Sequence, residues 1–415
     1  MNREDFEIMA PVGSFESLTA AIQGNADSVY FGTGKLNMRS RSTLNFNYDD
    51  LEKIVKICND HNKRAYVTLN TVMYDEDISE IKKTIDACKD IDIHAIIASD
   101  LSVLEYARLK NIEVHISTQQ NISNIGAVRF FSQFADVIVL ARELNLDQVK
   151  KISDSIIKEK VTGPSGKAIK IEMFAHGALC MAISGKCYLS LHEYNHSANR
   201  GDCYQICRRS YIVTDKETKA QLEIDNEYIM SSKDLCTISF LDKLINSGVK
   251  VFKIEGRARS AEYVKEVSKC YDEAIFSICD GTYSLQKIDA WMKRLSSVYN
   301  RGFWDGYYLG QRMGEWSNIY GSKATKKKTY IGKNKNYFSD MKVAEFLIET
   351  GSISVGDEIM IIGPTTGVIE TKVNEMRIDL KNEDVAKKGD RVSIPVDQLI
   401  RRSDKLYKLT VEKEN

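Results

Sequence analysis

Apolar residues over the first 280 positions gather in short runs, with longer stretches of helical periodicity between them. The runs at 7–10, 28–31, 65–69, 95–98, 114–117, 137–140, 169–174 and 249–254 read as strands. They lack strict alternation, as expected of parallel strands covered on both faces. Helical patterns follow at 15–23, 49–62, 78–89, 101–109, 123–133, 146–158, 234–246 and 261–279. Asp49 and Ser260 stand as N-caps, and Gly248 lies just beyond a helix. Eight strands, each followed by a helix, predict an α/β fold of the (β/α)8 type, a TIM-like barrel. A doubly wound open sheet is the rival arrangement.

One connection breaks the rhythm. About sixty residues separate the seventh strand, ending near Phe174, from its helix. Loops of that length inside compact domains are usually functional, and here the loop falls on the barrel face where active sites are built. Beyond Gly281 the pattern changes to one further helix, 284–299, then an aromatic, Gly-rich stretch from Gly302 to Gly310 and a basic run, 323–329. From Tyr330 onward short β-type runs and turn signals predict a small antiparallel β-barrel. The expected organisation is a catalytic barrel at 1–282 with a Cys-rich insertion at 176–231, a helical and aromatic connector at 283–325, and a C-terminal β-barrel at 326–415.

Composition narrows the function classes. Lysine plus arginine and aspartate plus glutamate each number 58 in 415 residues, so net charge gives no general pull toward nucleic acid or membrane. Any such binding must come from local patches. No run approaches a membrane span, and the charged, acidic start lacks the apolar core of a signal peptide. The expectation is a cytoplasmic protein with no membrane association. In that reducing setting the nine cysteines argue against a disulfide framework.

Four of those cysteines lie in the insertion. Cys180, Cys187, Cys203 and Cys207 form C-x6-C-x15-C-x3-C. Soft thiolates favour zinc or an iron–sulfur cluster, and four of them satisfy either. Cys236 lies just beyond and is an alternative to Cys207. Cys58, Cys88, Cys270 and Cys279 fall on helical patterns and read as packing residues.

The strand ends offer further chemistry. Asn70, Gln119, Arg142, Glu143, His176, Glu255 and Arg257 sit where apolar runs end, and the second strand leads into Arg39. Three arginines (Arg39, Arg142, Arg257) suit an anionic ligand such as a carboxylate or phosphate. Glu143, His176 and Glu255 are the candidate acid/base or orienting groups. No H-E-x-x-H, G-x-S-x-G, P-loop or dinucleotide-binding motif is present.

The stretch from Glu172 to Ser190, EMFAHGALCMAISGKCYLS, resembles the signature of the U32, or collagenase-like, peptidase family. The likeness continues at Ala10-Pro-Val-Gly13, Ser117-Thr-Gln-Gln-Asn121, Ala141-Arg-Glu-Leu144, Gly201-Asp-Cys-Tyr-Gln-Ile-Cys-Arg208 and Lys253-Ile-Glu-Gly-Arg257. The resemblance implies oxygen-independent hydroxylation, with a 4Fe–4S cluster held by cysteines that map onto Cys180, Cys187, Cys203 and Cys207. Some relatives take a late ligand near Cys236. It also implies a C-terminal barrel similar to domain two of elongation factor Tu. The layout looks most like the transfer RNA branch of the family. That branch converts the wobble uridine to 5-hydroxyuridine with prephenate, a small dicarboxylate, as co-substrate. Tyr30 would then stack on the base, and the 323–328 lysines with Arg200, Arg208 and Arg209 would meet RNA phosphates. Hydroxylation of ribosomal RNA is one alternative. A metallopeptidase, as the family name says, and a non-catalytic RNA-binding factor are the others.

Overall fold

The computed structural model describes residues 1–41, 45–222, 230–310, 314–319 and 321–411. Parts of the expected insertion and connector and the last four residues lie outside that set.

Eight parallel strands close into a barrel. They are β1 (Glu7–Pro11), β2 (Ser28–Gly32), β3 (Arg64–Leu69), β4 (Ala95–Ala98), β5 (Val114–Ile116), β6 (Val137–Val139), β7 (Lys170–Ala178) and β8 (Val249–Ile254). Each pairs in parallel with the next in chain order, and β8 pairs with both β7 and β1 to complete the ring. The helices between them are α1 (Phe15–Gln23), α2 (Tyr48–Asp60), α3 (Ile78–Asp90), α4 (Leu101–Leu109), α5 (Ile125–Phe131), α6 (Leu146–Glu159), α7 (Leu241–Asn246) and α8 (Ala261–Cys279). Apolar helix faces and the outer strand faces form one core, which takes in Cys58, Cys88 and Cys270. The (β/α)8 reading therefore holds.

Two local readings differ. α2 is capped by Asn47, not Asp49. Asn47 accepts from the Asp50 amide at 2.9 Å and Asp50 accepts from the Asn47 amide at 3.2 Å, so two otherwise unpaired N–H groups are satisfied at once. The expected helix at 234–246 starts with a strand, Asp234–Cys236. The cause is β7, which runs on past Phe174 to Ala178 and exposes an edge. Asp234–Cys236 fills that edge antiparallel, opposite Ala178, Gly177 and His176.

C-terminal to the barrel, helix Leu285–Ser297 packs on α8, with Trp291 Nε1 donating to Glu273 at 2.9 Å. An eight-stranded antiparallel sheet and a two-stranded one then enclose a second core around Phe346, Ile361, Ile394 and Leu406. Lys326, Lys327 and Lys328 of the basic run open the first strand of this sheet. Lys328 pairs with Glu262 of α8 at 2.7 Å and Lys326 with Glu370 at 3.2 Å. Gln23 of α1 ties the two parts together, donating to the Thr366 carbonyl and accepting from the Val368 amide, each at 2.9 Å. Among the described residues no helix is long and apolar enough to cross a membrane.

Candidate functional site at the barrel mouth

A cavity of about 100 Å³ opens at the C-terminal ends of the strands. Tyr30, Arg39, Asn70, Gln119, Arg142, Glu255 and Arg257, all singled out from the sequence, line it together with Cys180. The topology explains the gathering: residues just past consecutive parallel strands share one rim.

The floor is electrostatically organised. Arg39 donates to Glu255 Oε1 through Nε at 3.1 Å and Nη2 at 2.7 Å. Tyr30 Oη reaches the Ile254 carbonyl at 2.9 Å and Glu255 Oε2 at 3.2 Å. Burial alone would raise the Glu255 carboxyl, but Arg39, then Arg257 and Lys253, hold it below its ordinary value. Arg257 is in a different position. It is buried and donates to Asn37 Oδ1 at 3.0 Å and Thr68 Oγ1 at 2.9 Å, both neutral. Among the described residues no carboxylate comes within ion-pair distance of it. Burial draws its pKa down to about 10, still charged near neutrality. Arg142 donates to Ser184 Oγ at 2.7 Å, and Asn70 Nδ2 to Ser117 Oγ at 3.1 Å.

Lys253 also lines the cavity and was missed from the sequence. Its ammonium lies 2.8 Å from Glu172 Oε1 and 4.6 Å from the centre of the Tyr30 ring. Glu172 in turn faces His115 Nδ1 at 3.3 Å, and His115 Nε2 faces Glu113 at 3.3 Å. A buried chain of charge thus runs through the barrel toward its opposite end, where Arg64 pairs with Glu113 at 2.6 Å. The available signal was an ionisable residue interrupting each of these apolar runs: His115 in β5, Glu172 in β7 and Lys253 in β8.

Two candidates stand apart. His176 is fully enclosed by the rings of Tyr263, Tyr271 and Phe303, with Nδ1 3.4 Å from Tyr271 Oη. Burial first, then Arg259, lowers its pKa to about 3, so it is neutral and away from the cavity. Glu143 is exposed on the turn after β6 and does not line the cavity.

The insertion lies over the mouth. Gly201 makes this seating possible: its φ is +93°, and a Cβ there would stand 2.5 Å from the Asn37 carbonyl oxygen. Arg41 N donates to the Gly201 carbonyl at 3.4 Å, and Val72 N to the Asn199 carbonyl at 3.0 Å. Arg200 is spent on Asp77, and Arg208 on the Leu179 and Ser232 carbonyls. Cys187 and Cys203 are partly buried. The Cys207 thiol is pushed up to about 11, first by burial against the pull of Arg208, then by Cys180, Cys203 and Cys187. Cys180 and Cys203 likewise add, after Glu255, to the upward pull on Arg39. These four sulfurs therefore share one neighbourhood beside two arginines. A set of soft donors next to cationic side chains fits a thiolate-bound metal group. Among the described residues no three His, Cys, Asp or Glu side chains stand as a preformed single-ion site. Cys236 points elsewhere: it is buried with Sγ 3.8 Å from Met292 Sδ, and burial raises its thiol to about 12.

Comparison with known proteins adds to this geometry. A Porphyromonas gingivalis protein named collagenase is 58% identical over 414 residues, covering 100% of each chain. A Bacillus subtilis tRNA hydroxylation protein is 33% identical over 378 residues, 88% of this chain and 86% of the relative. An Escherichia coli 23S rRNA 5-hydroxycytidine synthase is 31% identical over 316 residues, 74% of this chain and 46% of the relative. The family model described as Peptidase family U32 matches residues 13–318, which spans the barrel from α1 onward and the insertion with all four of its cysteines. The chain belongs to peptidase family U32.

Proposed function

We propose that this chain is an RNA-modifying enzyme that hydroxylates a pyrimidine base, in its sharpest form the wobble uridine of tRNA, with prephenate as co-substrate. The observation that carries the reading is Arg257, a buried cation with no carboxylate at ion-pair distance among the described residues, in a cavity that Cys180 also lines. Such a cation is costly unless an anion completes it. A small dicarboxylate offers one carboxylate to Arg257 and a second to Arg142 at the rim. Lys253 adds positive charge to the same cavity.

Cys180, Cys187, Cys203 and Cys207 would hold a 4Fe–4S cluster, with Cys207 preferred over Cys236 because only Cys207 shares the neighbourhood of the other three. Zinc is the alternative occupant. When bound, the cluster supplies redox or Lewis-acid chemistry beside the cavity. The protein's own residues orient the reactants: Arg39 locks Glu255, Glu255 and the Ile254 carbonyl lock the Tyr30 hydroxyl, and Asn70 and Gln119 present amides to the opening. The names of the tRNA- and rRNA-modifying relatives support this reading.

The name of the 58%-identical relative supports a second reading, a peptidase. That chemistry needs a water beside a free general base. Glu255 is engaged by Arg39 and Tyr30, and His176 is sealed away. The deciding experiment pairs two assays. Mass spectrometry of tRNA from cells lacking the gene should show loss of 5-hydroxyuridine, restored by the wild-type gene. Anaerobically purified protein should contain iron and sulfide. Unchanged tRNA together with cleavage of gelatin by the purified protein would reverse the assignment.

A further inference from the structure

The insertion carries a second feature that the cavity does not use. Exposed large apolar side chains concentrate on it, among them Tyr188 at 70% and Ile212 at 71%, with Ile183 and Tyr194 nearby in sequence. An exposed apolar surface of this kind marks an interaction site. Within it two tyrosines form a stack. The rings of Tyr194 and Tyr204 lie 4.8 Å apart at 28°. Arg41 sits 3.7 Å over the Tyr204 ring, and Arg209 lies 5.4 Å from the Tyr194 ring. The order is cation, aromatic, aromatic, cation.

Both end arginines are exposed, and among the described residues neither has a carboxylate within ion-pair distance. This separates them from Arg200 and Arg208, which hold the insertion in place. The stack also has a defined address. Arg41 is two residues from Arg39, which lines the cavity, and Tyr204 follows Cys203 directly. A groove of about 400 Å³ runs beside it, lined by Lys35, Arg41 and Arg200 as well as Asp77 and Asp202.

Resting on the RNA reading above, we infer that this arginine–tyrosine stack receives the unpaired RNA bases that flank the nucleotide delivered to the mouth. Unpaired bases stack on guanidinium planes as on aromatic rings, whatever their sequence; with Tyr204 covered by Arg41 on one side and Tyr194 on the other, bases extend the column at its arginine ends, which also match the phosphates between them. A duplex keeps its bases stacked on each other and cannot use the surface. The charge at the two ends favours a polyanion over an extended polypeptide.

The test is fluorescence anisotropy with the full chain and a labelled single-stranded oligouridylate, against the same RNA as a duplex. Tyr194→Ala and Tyr204→Ala should each weaken single-strand binding about tenfold or more, while Tyr194→Phe retains it. Arg209→Gln, at the exposed end of the stack, should lower the slope of log affinity against log salt by about 0.7. Thermal unfolding of each variant separates lost contacts from lost fold. Single-strand binding that is indifferent to all these substitutions overturns the stack and leaves the RNA reading standing. No binding of any RNA by the wild type removes the RNA reading itself. Gelatin that displaces the oligonucleotide, or binds through the same tyrosines, reassigns the surface to a polypeptide and overturns the inference.

Discussion

Lys253 Nζ lies 2.8 Å from Glu172 Oε1 inside the barrel, with 7% of the lysine side chain and none of the glutamate exposed. The pair joins the mouth to a buried run of charge. Removing the carboxylate leaves the ammonium without its ion-pair partner in a medium that solvates it poorly. Glu172→Gln should therefore cost about 3–5 kcal/mol, and adding Lys253→Met in the same chain should recover part of the loss. Urea unfolding of the three variants checks this, and full additivity of the two changes would refute the coupling.

His115 sets a pH window. Burial alone would lower its pKa, but hydrogen bonds to Glu113 and Glu172 and the charges of Glu172 and Glu7 raise it above 6.5. Glu113 moves the other way, to about 2, with His115 and Arg64 outweighing its burial. The histidine contribution is fully present below 6.5 and is lost as pH rises through the elevated folded value. The Glu113 contribution is present above 4.5 and is lost as pH falls through about 2. Stability from this pair should be greatest between those ordinary values. In unfolding curves taken across pH, His115→Gln should flatten the alkaline decline.

Arg257 should show a trade-off. Among the described residues no carboxylate lies at ion-pair distance from it, so replacement by methionine removes a costly buried charge, and Arg257→Met should leave stability unchanged or raise it. The same change should weaken prephenate binding on the order of ten- to a hundredfold, the scale of a charge-assisted hydrogen bond. Calorimetric titration and thermal unfolding give the two readouts. Loss of stability with unchanged affinity would make Arg257 a purely structural residue.

Gly201→Ala should unseat the insertion. Alanine at φ +93° is strained, and its Cβ would meet the Asn37 carbonyl oxygen at 2.5 Å. The backbone strain alone is roughly 1–2 kcal/mol. Faster proteolysis between Cys180 and Cys207, with the barrel's unfolding midpoint little changed, is the expected pattern.

The fourth thiol can be settled by iron content. Cys207→Ser should reduce iron and sulfide in anaerobic protein, whereas Cys236→Ser, at a thiol buried against Met292 and Tyr271, should leave them at the wild-type level. The reverse result would move the ligand to Cys236.

Much of this molecule is legible in its pattern of residues. The eight strands emerge because strands covered on both faces must be apolar runs, and β4, α1, α4 and α8 fall at the expected residues. The rim residues follow once the barrel is recognised, since strand ends are rim positions by construction. The failures are equally physical. Asp234–Cys236 is a strand because β7 overruns the barrel and offers an edge, and a three-residue strand has no period of its own to read. Glu143 follows Arg142 in sequence, but only Arg142 turns inward.

What the sequence by itself determined is whatever depends on local order: the alternation of strand and helix, the excursion after the seventh strand and its four thiols. The tertiary structure alone decided which ionisable groups meet. His176 sits on a barrel strand beside the thiols in sequence yet is sealed among aromatic rings, while Lys253, unremarkable in its strand, reaches the mouth. The reason is that burial and charge pairing act through space. A residue's protonation and reach are set by neighbours from other strands, and closure of the ring brings β5, β7 and β8 onto one interior.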